Sequence, residues 1–150
     1  MELKPINPAN YMDCIQLKVH ESQEYFVANN AHSLLEAIYE EGIFVRAIYR
    51  EDQMIGMVLY DYDLEIPGWS MSRFMIDCHY QGQGLGRQAL EIFLDFFKNT
   101  YQVDRLYTSV SIENTAAKNL YQSAGFKVHS TFHYEFQGKT YQEERLVLAL

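Results

Sequence analysis

The sequence predicts a mixed α/β (α+β) domain in which helices cover a central β-sheet. Its 150 residues suit one domain, and 48% of them are hydrophobic, enough to form a core without a metal or a disulfide. Strand-like and helix-like segments follow in the order β, α, α, β, β, β, α, β, α, β, β, which is not the order of a helical bundle or a β-sandwich. We therefore expect a single domain over residues 1–150, with about seven strands and four helices.

The first half of the chain contains four predicted strands and two predicted helices. Apolar residues near helical spacing predict helices over residues 9–20 and 31–41, and Gly42 ends the second. Runs rich in β-branched and aromatic residues predict strands, with a polar turn at 51–53 that makes a hairpin. These predicted strands cover residues 1–6, 43–49, 54–62 and 69–77.

The second half holds the clearest helix of the sequence, over residues 85–99. Its apolar residues Leu85, Ala89, Ile92 and Phe93 recur at i, i+4, i+7 and i+8, which places them on one face. A strand, a short helix closed by a glycine, and a terminal hairpin are predicted after it. These segments are residues 104–111, 115–124, 126–136 and 140–148.

Charge and composition exclude several classes of function. Twelve basic and twenty acidic residues give a net charge of −8, which disfavours nucleic-acid binding. No run of 18 apolar residues suggests a membrane span, and the N-terminus has no apolar signal segment, so a cytoplasmic location is expected. The five histidines are scattered along the chain and the two cysteines are 64 positions apart, so no metal site is predicted.

A glycine-rich turn between a strand and the clearest helix is the most informative segment. Glycines allow a close backbone approach, and the N–H groups at a helix N-terminus favour a bound phosphate. The spacing Gly84-x-Gly86-x-x-Ala89 fits a dinucleotide fingerprint, but Asp104 precedes the next strand rather than ending it. No glycine of this turn is followed by Lys-Ser/Thr, which excludes a P-loop here.

A second interpretation of this turn is Gln81-x-x-Gly84-x-Gly86. Together with residues 114–126, which contain an Asn opening a short helix, a Leu-Tyr pair and Gly125-Phe126, it resembles the GNAT superfamily of acyl-CoA-dependent N-acetyltransferases. The resemblance extends over essentially the whole chain. It implies acetyl-CoA as the acyl donor and a mostly antiparallel sheet that splays between the strand ending near Asp77 and the strand starting near Asp104.

The same resemblance implies where the cofactor is held. Residues 82–87 would hold the pyrophosphate through backbone N–H groups, and residues 74–76 would pair with the pantetheine arm as an added strand. Arg87 and Lys118 either meet phosphates or remain solvated charges. The full set of expected cofactor contacts is Phe74, Met75, Ile76, Gln81, Gly82, Gln83, Gly84, Leu85, Gly86, Arg87, Asn114 and Lys118.

Tyr121 is the predicted catalytic residue. Ala117, Leu120, Tyr121 and Ala124 share one helix face, so a tyrosine hydroxyl with small neighbours could reach the sulfur of the donor. A phenol has a pKa of about 10, so it keeps its proton at neutral pH and can donate it to a leaving thiolate. The alternative is that Tyr121 is simply a core residue.

The sequence does not single out a general base. Two positions where related polyamine acetyltransferases often carry a carboxylate are here Ser72 and Ser109. A chain of water molecules or one of several other carboxylates would have to accept the proton instead. The candidates are Glu24, Asp61, Asp63, Glu65 and Glu113.

Residues 20–27 and 73–86 further resemble bacterial spermine/spermidine acetyltransferases, which implies a small cationic amine as the acceptor. Strand alternation predicts one acidic side for Asp61, Asp63 and Glu65, with Tyr60 and Tyr62 available for cation–π contacts. The alternatives are another small or peptide amine, a solvated acidic face, or a catalytically silent acyl-CoA-binding module. A homodimer is also expected. The predicted substrate carboxylates are Glu21, Glu24, Asp61, Asp63 and Glu65.

Overall fold

A computed structural model describes residues 1–150 and contains the predicted seven strands and four helices in the predicted order. None of the helices combines the length and the apolar composition that a bilayer span requires. The helices are α1 (Tyr11–Gln16), α2 (Asn30–Tyr39), α3 (Leu85–Tyr101) and α4 (Thr115–Ser123). The strands are β1 (Glu2–Pro5), β2 (Ile43–Arg50), β3 (Gln53–Asp63), β4 (Gly68–Ile76), β5 (Arg105–Ser111), β6 (Lys127–Phe136) and β7 (Lys139–Ala149).

All seven strands form one sheet, in the spatial order β1-β2-β3-β4-β5-β7-β6. Every neighbouring pair is antiparallel except β4 and β5, which are parallel and pair at only two positions. By contrast, β5 pairs with β7 at seven positions, from Arg105↔Ala149 to Ser111↔Glu143. The predicted splay between β4 and β5 is therefore confirmed.

The core lies on both faces of the sheet. One face packs on α3 and α4 through residues such as Tyr60, Phe93 and Phe97, all fully buried. The opposite face packs on α1 and α2 through residues that include Met57 and Leu34. Because helices cover both faces, β3 is buried over seven consecutive residues and shows no polar alternation there.

The first helix is shorter than predicted, since it ends at Gln16 rather than at residue 20. The backbone N–H of Lys18 donates to Asp77 Oδ2 at 2.9 Å, and the Lys18 carbonyl accepts from the Cys78 N–H at 2.7 Å. These long-range hydrogen bonds replace the intrahelical bonds that the segment would otherwise make. Two short 3₁₀ turns, Glu21–Gln23 and Cys78–Tyr80, were not predicted.

Gly56 marks the closest approach between β3 and β4. A Cβ atom at this position would lie 2.3 Å from the Met75 carbonyl oxygen. We expect Gly56→Ala to lower the free energy of unfolding by about 1–3 kcal/mol, because overpacking forces the two strands apart. Chemical denaturation measures the change. Gly86→Ala is the control, since its Cβ would meet nothing closer than 3.8 Å, and an equal loss in both variants would contradict the explanation.

Candidate active site

The main cavity of the protein opens where β4 and β5 diverge. The two strands pair at Ser70↔Tyr107 and Met71↔Thr108, and the Thr108 hydroxyl closes this junction by donating to the Met71 carbonyl at 2.8 Å. Beyond it, residues 71–76 of β4 and 108–111 of β5 line a cavity of about 450 Å³. The facing edges of both strands are thus available to an extended ligand, whose inner end would stop at the junction.

The loop after β4 supplies a row of free hydrogen-bond donors. None of the backbone N–H groups of residues 82–87 donates to a protein acceptor. Gly82 and Gly84 have φ of +75° and +76°, so each turns its peptide group in a way that L side chains rarely allow. Gly84 is also the N-cap residue of α3. Donors of this kind at the positive end of a helix dipole form an anion-binding concavity.

The Gln81 side chain holds this loop in place. Its amide donates to the Ile76 carbonyl at 2.8 Å, and it exchanges two hydrogen bonds of 3.0 Å with the amide of Gln23. Gln81 and Gln23 both line the cavity. The predicted cofactor residue Gln81 therefore also joins the glycine loop to the 3₁₀ turn Glu21–Gln23.

Asp77, at the end of β4, anchors the other side of the loop. Its carboxylate accepts from the backbone N–H groups of Lys18 and His79 and contacts His79 Nδ1 at 2.8 Å. Burial would raise the pKa of this carboxyl, but the hydrogen bonds outweigh it and the pKa is lowered. The side-chain atoms of Asp77, Cys78 and His79 that could bind a metal ion lie within 4.8 Å of one another. The Asp77 carboxylate, however, already accepts the hydrogen bonds from Lys18 and His79.

Tyr121 lies in the wall of the cavity. Its ring is buried against Phe126, yet its hydroxyl makes no hydrogen bond to a protein group. Every side-chain N or O atom that is fully buried has a hydrogen-bond partner. Because the Tyr121 hydroxyl has none, it is not fully buried and stays accessible to solvent. Burial raises the pKa of Tyr121 above its ordinary value, so the phenol stays protonated over the neutral range. Tyr121 belongs to α4, and Asn114 caps this helix by accepting a hydrogen bond from the Ala117 N–H at its Oδ1.

The other predicted cofactor residues divide between cavity and surroundings. Leu85 is buried, so only its backbone faces the loop, while Gln83 is exposed and donates to the His79 carbonyl. Arg87 is exposed and pairs with Glu91, whereas Lys118 forms a 2.7 Å ion pair with Glu144. The predicted residues that line the cavity are Phe74, Met75, Ile76, Gln81, Gly82, Gly86, Asn114 and Tyr121.

The predicted acidic strand is wrong in two respects. Glu65 lies beyond the end of β3, in the turn where its N–H donates to Asp63 Oδ1, so strand alternation does not extend to it. Tyr60 is fully buried among the aromatic residues of the core and bonds to the Tyr101 hydroxyl, so it cannot meet a substrate. The predicted substrate carboxylates do not line the cavity. They are Glu21, Glu24, Asp61, Asp63 and Glu65.

The charged residues that do line the cavity are Arg73, Glu113 and Glu143. Arg73 is already paired with Glu36 on α2, at 2.9 Å, so the remaining lining charge is negative. Glu113 was a candidate base, whereas sequence reasoning missed Glu143. The signal available was the alternation of β7, which puts Tyr141 and Glu143 on one face.

Three tyrosines, also missed, stack at the wall that carries these carboxylates. Tyr25 lies on Tyr141 with a centroid distance of 5.0 Å, and Tyr141 lies on Tyr134 at 5.1 Å. Burial and then the Glu143 carboxylate raise the pKa of Tyr134. Because Tyr25 comes from the loop before α2, its contact with the hairpin could not be read from sequence spacing.

Comparisons with known proteins agree with this geometry. Residues 11–126 match the Acetyltransferase (GNAT) family. A probable spermine N(1)-acetyltransferase of Bacillus subtilis subsp. natto is 27% identical over 93% of this chain and 94% of that protein. The spermine/spermidine N(1)-acetyltransferase of Bacillus subtilis strain 168 is 26% identical over the same shares.

Solved structures show the same fold at lower identity. A spermidine N-acetyltransferase from Vibrio cholerae, in complex with CoA and spermine, has a TM-score of 0.75 and 17% identity over 98% of this chain and 94% of that one. A ribosomal-protein-alanine N-acetyltransferase from Brucella melitensis has a TM-score of 0.77 and 19% identity over the full length of both chains. With the splayed sheet, the free N–H groups and the family match in agreement, the chain belongs to the GNAT family of acetyl-CoA-dependent N-acetyltransferases.

Proposed function

We propose that this acetyltransferase acts on a polyamine such as spermine or spermidine, with Tyr121 as general acid. The observation that carries the proposal is the negative charge of the cavity. Arg73 forms an ion pair with Glu36, so the lining charges without an ion pair are the carboxylates of Glu113 and Glu143. The names of the two Bacillus relatives support the same substrate class. A single domain, a cytoplasmic location and a homodimer stay predictions of the sequence.

The residues present suit acetyl-CoA, which supplies the thioester whose acetyl group is transferred. The free N–H groups of residues 82–87 would hold the pyrophosphate, and Arg87, in the first turn of α3, would add a positive charge beside them. The unpaired edges of β4 and β5 would accept the amide-bearing pantetheine arm, as strands accept an added strand. The acetyl end would then stop at the Met71↔Thr108 junction, within the wall that includes Tyr121.

Valine at Gly84 or Gly86 should raise the Kd for acetyl-CoA by about tenfold or more, because a lost charge-assisted hydrogen bond costs about 1.5–3 kcal/mol. A valine at position 84 would strain the backbone, because the φ of Gly84 is positive. A valine at position 86 would add bulk to the cavity wall, which Gly86 lines. Calorimetric titration measures the Kd. Gly138→Val is a matched control, since Gly138 also has φ of +76° and open space around it. Unchanged affinity in folded Gly84 and Gly86 variants would contradict this pyrophosphate site.

Tyr121 supplies the proton that the leaving thiolate needs. The hydroxyl is accessible from the cavity, has no protein acceptor that would hold its proton, and stays protonated because burial raises its pKa. This open, protonated hydroxyl also favours an active enzyme over a silent acyl-CoA-binding module.

Replacing Tyr121 by Phe removes the hydroxyl and keeps the ring against Phe126. We expect kcat to fall by about 10²-fold or more, the usual contribution of a general acid, with little change in acetyl-CoA affinity. Stopped-flow thiol release in the first turnover isolates the chemical step. Tyr107→Phe is the control, since Tyr107 is buried but lies outside the cavity wall. Wild-type single-turnover rates in Tyr121→Phe would show that Tyr121 is a core residue only.

The position of Glu113 and Glu143 suits an acceptor with more than one positive charge. Ser111↔Glu143 is three register positions from Thr108↔Leu146, so Glu143 is on the order of 10 Å along the sheet from the closed end of the slot. Glu113 follows two residues after Ser111. An ammonium group near these carboxylates would belong to a part of the acceptor remote from the reacting nitrogen.

An acceptor panel tests the substrate class. We expect kcat/KM for spermine and spermidine to exceed that for butylamine and for a peptide with a free N-terminal alanine, and added salt to raise KM most for spermine. Glu113→Gln and Glu143→Gln should each raise KM for spermine by about two- to fivefold, as expected for pairs worth about 0–1 kcal/mol. Glu135→Gln, on an exposed residue of the same hairpin, is the control. Equal turnover of butylamine and spermine would overturn the polyamine proposal and leave the acetyltransferase activity intact.

A further inference from the structure

A bulge in β4 places Ser72 at the closed end of the slot. On β3, Leu59 pairs with Arg73 and the next residue, Tyr60, pairs with Met71, so Ser72 has no partner in the ladder. Bulges re-aim a side chain, and this one is adjacent to Met71, the last residue of β4 that pairs with β5. Ser72 is exposed and lines the cavity, so its hydroxyl lies beside the place where the acetyl end would stop.

The Ser72 hydroxyl donates a short hydrogen bond to Asp61 on β3. Asp61 does not itself line the cavity, so Ser72 connects it to the slot. Burial raises the pKa of Asp61, as do nearby Asp63 and Glu36, while the Ser72 hydrogen bond and Arg73 lower it, and the net direction is upward. The Arg73 guanidinium itself contacts Glu36 and the Ser33 hydroxyl.

We propose that Asp61 is the general base of this enzyme and that it acts through Ser72, a role that rests on the proposed amine acetylation. The Ser72 oxygen uses its own proton toward Asp61 and keeps lone pairs that can accept a proton from an ammonium group in the slot. The carboxylates that do line the cavity, Glu113 and Glu143, lie on the order of 10 Å from the closed end, too far to take that proton directly.

The protons and electrons balance as follows. The ammonium nitrogen gives one proton to Ser72 Oγ while the Ser72 proton moves to Asp61, so the nitrogen gains a free lone pair. That pair forms the C–N bond to the acetyl carbon, the C–S bond breaks, and the thiolate takes a proton from Tyr121. The nitrogen loses its second proton after the C–N bond has formed. The Tyr121 phenolate takes that second proton and Asp61 releases the first to solvent, so both groups are restored and no oxidant or reductant is needed.

The test compares Asp61→Asn, Ser72→Ala and the double variant with the wild type, using spermidine and saturating acetyl-CoA. An asparagine oxygen still accepts the Ser72 hydrogen bond, so packing is kept while the base is lost. We expect each single variant to lose about 10²-fold in kcat and the double variant to lose no more than the larger single loss, because the two groups act as a unit. Asp95→Asn, an exposed residue of α3, is the control.

Two further readouts separate a base from a structural residue. The wild-type kcat should fall as pH falls through an Asp61 pKa above the ordinary aspartate value of about 3.9, and Asp61→Asn should lack this limb. Adding Ser72→Asp to Asp61→Asn should recover at least about tenfold of the loss, because it returns a carboxylate to the slot.

The relay would be overturned if Asp61→Asn kept the wild-type kcat and the same fall of kcat at low pH. It would also be overturned if the losses in kcat of the two single variants multiplied in the double variant. Either result would leave the proposed amine acetylation intact. No turnover of any amine by the wild type would overturn the relay together with the proposed function.

Discussion

The separation of β4 from β5 is the constraint on which the rest of the structure depends. Two parallel pairs and one side-chain hydrogen bond, from Thr108 to the Met71 carbonyl, hold the strands together at one end. Past that point the facing backbone groups cannot satisfy each other, so they must meet water or a ligand. A splayed sheet therefore creates a slot with strand-like recognition on both sides and a defined inner end. The flanking sheet stays intact because β3 supports β4 and β7 supports β5.

Polar side chains hold the glycine-rich loop at the mouth of this slot. Gln81 joins the loop to Gln23 and to the end of β4, and Asp77 joins the end of β4 to the segment after α1. These hydrogen bonds leave the N–H groups of residues 82–87 free. Apolar side chains could not organise this loop in the same way, since the glycines that permit its turns have no side chains to pack.

The chemistry of the site follows from how deeply each group lies. Tyr121 is buried, so its pKa rises and it is suited to donate a proton. Glu113 and Glu143 are less buried and remain available to attract a cation. Asp61 lies between these extremes, with a raised pKa and a serine between it and the cavity. The cost of removing charge from water thus separates the proposed proton donor, the proposed cation-binding wall and the proposed proton acceptor.

The sequence by itself was enough to predict the element order, the splay and the glycine-rich turn before α3, because each depends on local spacing or on a contiguous motif. Helix α1 was predicted too long because a contact to Asp77, 59 positions away, ends its hydrogen-bond pattern. The acidic wall was misplaced for a similar reason. Tertiary packing alone decided that Tyr60 is buried, that Glu143 faces the cavity, and that a bulge directs Ser72 toward Asp61. Those outcomes depend on strand register and on contacts between distant segments, which residue spacing along one strand does not specify.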